Sequence, residues 1–204
     1  MRPPGGSDNA NEDRANEQRQ RTVVLVAVAV LVVVALSAGG VIRSRQAQRD
    51  ARARDAQAAA LGVRTYPDLG RRHLKHGENY TAYNSVPPTS GPHDPVPAPC
   101  GVFTTPVSDP VQVHDLEHGV IMIQYRPGLD SAQVQALEAL GHSYSSHVIV
   151  APYLKLPEAV AATAWTRLLA LTSADAAGIA KLRSFVDLFR QHGPEPGIPC
   201  PRGD

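Results

Sequence analysis

HDLEHG, residues His114 to Gly119, runs straight into VIMIQY, residues Val120 to Tyr125, and the reading of that junction decides the fold. The second string is a continuous β-branched and apolar run, the pattern of a strand buried on both faces. Gly119 and the strand follow the histidines at once and VQV (111–113) precedes them. HDLEHG therefore reads as a turn whose side chains gather at the edge of the core. Two histidines four apart enclose two carboxylates there.

Downstream, RPGLD (126–130) is a turn, and Asp130 or Ser131 can cap a helix SAQVQALEAL with Val134, Leu137 and Leu140 on one side. Gly141 is read as its stop. SHVIVAPY (146–153) is a second strand. EAVAATAWTRLLAL (158–171) is ambiguous: its Ala and Leu favour a helix, while its alternation and a short Pro-bounded turn favour a strand antiparallel to the previous one. We read a strand. Ser173 or Asp175 then opens a helix with Ile179, Leu182, Phe185, Val186 and Phe189 as its apolar stripe, closed by Gly193-Pro194. The order β-α-β-β-α predicts a small α+β sheet with helices on one face.

Upstream, residues 63–110 are punctuated by Pro and Gly. PPTSGPH (87–93) and DPVPAPCG (94–101) cannot be helix or central strand, which predicts a wrap of turns and short strands lying on the domain. Tyr80, Tyr83, His93 and Cys100 argue against a plain linker. Arg43 to Leu61 is Ala, Arg and Gln with no Pro, Gly or apolar stripe, so it predicts a solvated helical stalk. Thr22 to Ile42 carries no charge. At about 1.5 Å per residue such a helix just spans a hydrocarbon core of roughly 30 Å. We read a single-pass transmembrane anchor. A cleaved signal peptide, with Ala35-Leu36-Ser37 before Ala38, is the alternative. Met1 to Arg21 is polar and charged and reads as a disordered tail.

The chain of 204 residues thus divides into a tail (1–21), a span (22–42), a stalk (43–61) and one globular domain (62–204). Before Leu61 there are nine Arg, no Lys and six acids; from Leu61 onward, eleven bases face thirteen acids. The slightly acidic folded part carries no basic face, which argues against nucleic acid as a partner. Arg43, Arg45, Arg49, Arg52 and Arg54 follow the span closely and, by the positive-inside rule, lean toward a cytoplasmic C-terminal domain. Cys100 and Cys200 stand a hundred residues apart without metal or redox spacing. A disulfide in an oxidising compartment and two free thiols are both open.

His114 and His118 have the i, i+4 spacing that zinc sites use, and Glu117 completes H-x-x-E-H, an inverted zinc-protease signature. That protease needs a long helix, which the turn reading denies it. A metal site on the turn, of zinc or copper, would use His93, His114, His118 and Glu117, with His73, His76 or Cys100 as further candidates. The plain alternative is a structural network in which Glu117 pairs with His93 and locks the wrap onto the sheet. His142 and His147 read as surface residues, Ser90 lacks the context of a nucleophile, and Trp165 reads as core or a lid.

PPTSGPH, the following Cys-Gly, HDLEHGVIMIQY, VIVAPY, TAW and GPEP occur in one order, and with them the chain resembles the domain-of-unknown-function family 3105 over roughly residues 66–196. The resemblance implies a single-span or secreted bacterial protein with its domain outside the cytoplasm, against the Arg distribution. It implies no reaction. Asp115 stands where the family more often has Ser, and Thr166 where TAWGR is more usual, which suggests a strand there that tolerates a β-branched residue. The expectation is a membrane-anchored extracytoplasmic domain, a metal-binding module or a metal-free surface interaction domain with a protein partner. A zinc hydrolase is the third possibility.

Overall fold

The mixed sheet grows outward from Ile121–Tyr125, the strand predicted to be buried, whose first four residues are fully enclosed. The computed structural model describes residues 8–201 and 203; for residues 8–42, side chains are described only at 14, 17–21, 23–26 and 40. In chain order the elements are α1 (Asp8–Leu61), β1 (Arg64–Thr65), β2 (Gly101–Val102), α2 (Asp109–Glu117), β3 (Ile121–Tyr125), α3 (Ser131–His142), β4 (Val148–Pro152), β5 (Val160–Ala164), β6 (Arg167–Leu171) and α4 (Ala176–Phe189).

Two compact units, Met1–Ala53 and Arg54–Asp204, divide the chain. The tail's first seven residues and most side chains of the 22–42 run lie outside the described residues. Among the described residues no helix is long and apolar enough to cross a membrane. From Asp8 onward, tail, apolar run and stalk form the one helix α1. Its last turns differ from a solvated stalk: Ala58 is buried in the core of the second unit and Val63 packs on the same cluster.

The strand order is β1-β6-β5-β3-β4-β2. β3 and β4 are parallel, joined through α3. That connection needs a crossover helix, because parallel neighbours cannot be linked by a hairpin. Residues 158–171 form not one strand but the hairpin β5–β6, and β5 lies antiparallel to β3 rather than to its predecessor β4. Thr166 sits in the turn with φ of 59°, the left-handed region that favours glycine. The residue expected inside a strand is thus a turn residue, held by its Oγ–H to the Trp165 carbonyl and its N–H to the Thr89 carbonyl.

Alternation along the strands sends Ile121, Ile123, Val148, Val150, Val160 and Ala162 to one face, where Leu137, Leu140, Leu182, Phe185 and Phe189 of α3 and α4 cover them. Of the two candidates the sequence offers at each start, Asp130 caps α3 and Asp175 caps α4. Gly141 does not stop α3. It lies inside the helix, where an added Cβ would collide with the Val150 side chain, so glycine here allows helix and strand to approach closely.

The prediction of helices on one face holds only for α3 and α4. α2, absent from the β-α-β-β-α reading, packs Leu116 against Val120, Met122 and Ile149 on the opposite face. Beside it lies the wrap, an ordered chain of turns with β1, β2 and a parallel bridge between His73 and His93. A disulfide joins Cys100 to Cys200 and ties the C-terminal tail to the wrap.

Candidate metal centre

HDLEHG is the end of a helix and not a turn between extended segments. Ser108 takes extended backbone at the N-cap of α2 and a proline follows in the first turn, where its missing N–H costs nothing. His118 is the C-cap, and Gly119 takes φ of 83°. The Val120 N–H donates to the Asp115 carbonyl and the Gly119 N–H to the Leu116 carbonyl, the paired bonds of a Schellman ending. His114, Glu117 and His118 therefore project from one side of the last helical turn by their i, i+3 and i+4 spacing.

Two outside segments clamp this turn. The Gln191 N–H donates to the Gly119 carbonyl and the Glu195 N–H to the Glu117 carbonyl. Gly193 lies so close that a Cβ would overlap the Glu117 carbonyl oxygen, which gives GPEP a structural purpose. From the wrap, the Tyr83 hydroxyl donates to the Pro92 carbonyl and the Ser90 hydroxyl accepts the Leu69 N–H. The bridge then fixes His93: its N–H donates to the Arg72 carbonyl and its carbonyl accepts the Leu74 N–H.

Three of the four predicted site residues are buried: His93 at 0 % exposure, Glu117 at 2 % and His114 at 4 %. His118 is half-buried. The Nδ1–H of His93 donates to the Gly91 carbonyl (2.9 Å) and that of His114 to the Asp94 carbonyl (2.6 Å). A carbonyl oxygen only accepts, so each contact places the proton on Nδ1 and leaves an Nε2 lone pair. His114 Nε2 lies 3.1 Å from His118 Nε2. His93 Nε2 lies 3.1 Å from Glu117 Oε2 without the alignment of a hydrogen bond, so among the described residues this buried lone pair has no hydrogen-bond partner.

Burial, with repulsion from neighbouring rings, disfavours the charged form of His93, His114 and His118. His93 and His114 fall below the usual histidine range through burial, against the pull of their carbonyl partners. His118 is lowered by burial and then by His114. Burial and then Glu195 push the Glu117 carboxyl up, while Arg71, whose Nε lies 4.0 Å from Oε1, draws it down. Neutral imidazoles are the form that binds metals.

Among the described residues, two sets of side chains could hold a metal ion: His73, His93 and His114, and His114, Glu117 and His118, with all ligand atoms of each set within 4.8 Å of one another. Tetrahedral zinc, at about 2.0–2.1 Å from each nitrogen, separates its ligand atoms by roughly 3.3 Å. The two 3.1 Å pairs are already near that spacing. His73, named in the sequence only as one of several further candidates, joins the cluster through the bridge. His76 is exposed and belongs to neither set, and Cys100 is engaged in the disulfide.

The remaining candidates fall elsewhere. His147 is buried rather than superficial: its Nε2 contacts the Ile198 carbonyl at 2.9 Å, and its backbone N–H points to Cys100 Sγ. Asp115 is 1 % exposed and belongs to neither set, and its carboxylate accepts a long 3.4 Å bond from the Ala98 N–H. Trp165 is half-buried and donates its indole N–H to Asp68.

The family described as "Protein of unknown function (DUF3105)" matches residues 73–202, a span that includes the whole cluster and both cysteines. No curated protein and no solved structure matches the chain.

Proposed function

The chain belongs to the DUF3105 family, and we propose that it is a membrane-anchored extracytoplasmic module that binds one transition-metal ion through His93, His114, Glu117 and His118. The observation that carries this reading is the His93 Nε2 lone pair, fully buried, without a hydrogen-bond partner and facing Glu117. A buried acceptor beside another acceptor is costly unless a proton or a cation lies between them. The adjacent pair of imidazole nitrogens supplies two further ligands. Imidazoles with one carboxylate suit zinc or copper.

A binding role fits better than hydrolysis. α2 does supply a helix for H-x-x-E-H, but it ends at Glu117. A general base needs a carboxylate free to meet substrate water, whereas Glu117 is buried against His93. The uncharged 22–42 run supports the anchor, and the disulfide supports an oxidising compartment against the Arg distribution. A metal-free surface domain is the second reading, favoured by the backbone carbonyls that already hold His93 and His114.

The test uses the full chain in detergent, stripped with a chelator and titrated with Zn²⁺ or Cu²⁺. One equivalent should bind and raise the melting temperature, since a ligand at about 100 times its Kd adds about 2.7 kcal/mol. His114→Ala with His118→Ala should abolish that gain. A stripped protein that takes up neither ion rules the metal reading out, and a partner bound equally well with chelator present favours the second. For topology, a reporter fused after Asp204 that is active only inside the cell would reverse the placement.

A further inference from the structure

We infer that the cluster is a capture-and-transfer site: one ion first meets His73 with His93 and His114, then exchanges His73 for Glu117 and His118. This rests on the metal reading above and adds a direction to it. The two ligand sets overlap at His114, and His93 of the first set lies 3.1 Å from Glu117 of the second, within reach of both. With His114 Nδ1 held by the Asp94 carbonyl, only Nε2 can bind, so both sets compete for the same atom. His93 is likewise limited to Nε2 by the Gly91 carbonyl; that nitrogen lies 3.1 Å from Glu117 Oε2, and the His93 ring meets His73 edge-on. The sets therefore exclude one another, and the chain holds one ion at a time.

Burial gives the exchange its direction. His73 is exposed, whereas His93, His114 and Glu117 are buried. His73 stacks on His114 with centroids 5.2 Å apart and meets His93 edge-on at 4.9 Å. An ion arriving from solvent meets His73 together with the two shared imidazoles. Glu117 then contributes a carboxylate at a buried position, and His118 Nε2 lies 3.1 Å from the shared His114 nitrogen. Every intermediate keeps two imidazole ligands, so the ion never passes through the bare state. That continuity suits loading from, and release to, another ligand such as a chelator or a partner's metal site.

The experiment follows Zn²⁺ exchange between the full chain in detergent and a fluorescent chelator by stopped flow, with Kd measured separately at equilibrium. In His73→Ala, uptake and release should both slow about tenfold or more while Kd stays within about threefold, because His73 binds only along the path. His73→Asp, which restores an exposed ligand atom, should recover the rates. His118→Ala should instead weaken Kd. The inference is overturned by two ions per wild-type chain, by a large loss of affinity in His73→Ala, or by unchanged rates. A wild-type chain that binds no Zn²⁺ rejects the underlying reading itself, which separates that failure from these three.

Discussion

Under α3 and α4 the sheet presents Ile123, Val150, Val160 and Leu169, while toward α2 and the wrap it presents Met122, Gln124, Ile149 and Thr163. The first layer is stabilised by apolar burial, which is non-directional and tolerant of detail. The second buries His93, Gln112, His114, Asp115, Glu117 and Gln124, each of which must be satisfied individually or costs free energy. Among the described residues, the buried side-chain atoms without a hydrogen-bond partner are all on this second layer: His93 Nε2, Gln112 Oε1, Asp115 Oδ1, both amide atoms of Gln124 and Thr163 Oγ1. The contrast teaches that one face supplies the stability which lets the other keep a buried polar cluster, the candidate site. The disulfide and the clamping tail, both on the second face, provide the restraint that its packing does not.

The largest effect should come from the apolar face. Phe185→Ala removes a fully buried ring and should cost about 3–5 kcal/mol in denaturant titrations. Metal stoichiometry below the lowered melting point should not change. A variant that loses the ion while still folded would mean that the two layers are coupled more tightly than their separate cores imply.

Opening the disulfide tests the other face. Cys100→Ser with Cys200→Ser frees a crosslink of 100 residues. The expected loss is about 2–5 kcal/mol, with weaker metal binding because the tail that clamps Glu117 and Gly119 is released. Equal melting points with and without reductant in the wild type would show that the bond contributes nothing.

Asp115 sharpens the comparison through pH. Burial raises its pKa from the ordinary 3.8 to about 8, against a small opposing pull from the Ala98 N–H. Folding then takes up a proton between these values, so the unfolded chain is the one favoured as pH rises. The residue's contribution to stability is greatest below about pH 4, declines through neutrality and levels off above about pH 8. Asp115→Asn should remove that decline and stabilise the protein by a few kcal/mol at pH 8, with little effect at pH 4. Wild-type and variant melting curves that stay parallel across this range would show that the carboxyl is not buried as described.

The smallest effect lies at the hairpin turn. Thr166→Gly relieves a left-handed backbone that costs a residue with a Cβ about 1–2 kcal/mol, partly offset by the lost hydroxyl bonds to Trp165 and Arg167. A net gain of about 1 kcal/mol is expected. A loss would mean that those hydrogen bonds outweigh the strain.

Much of the apolar layer is legible in the chain because periodicity reports burial on a single face. Ile179, Leu182, Phe185, Val186 and Phe189 mark α4, and the run at 120–125 marks β3. α2 escapes that reading because its buried residues run from Gln112 to Glu117 without interruption, polar and apolar alike, and leave no stripe. Its ends were nonetheless signalled by Ser108-Asp109-Pro110 and Gly119, a start and a stop that local chemistry explains. His93, His114, Glu117 and His118 were singled out as candidates from residue type and spacing. That His73 joins them while His76 does not depends on one bridge between segments twenty residues apart.

By itself, the sequence determined the α+β class, the capped helices and the Pro-rich wrap, and it offered side chains of the types that ligate metals, since these follow from local propensity and side-chain chemistry. Only the tertiary structure decided that HDLEHG ends a helix, that the sheet carries helices on both faces, and that the cysteines pair. It alone decided which histidines converge and left one His93 nitrogen beside Glu117 without a hydrogen bond. Convergence depends on distances between segments far apart in the chain, and those distances are set by packing that no local stretch encodes.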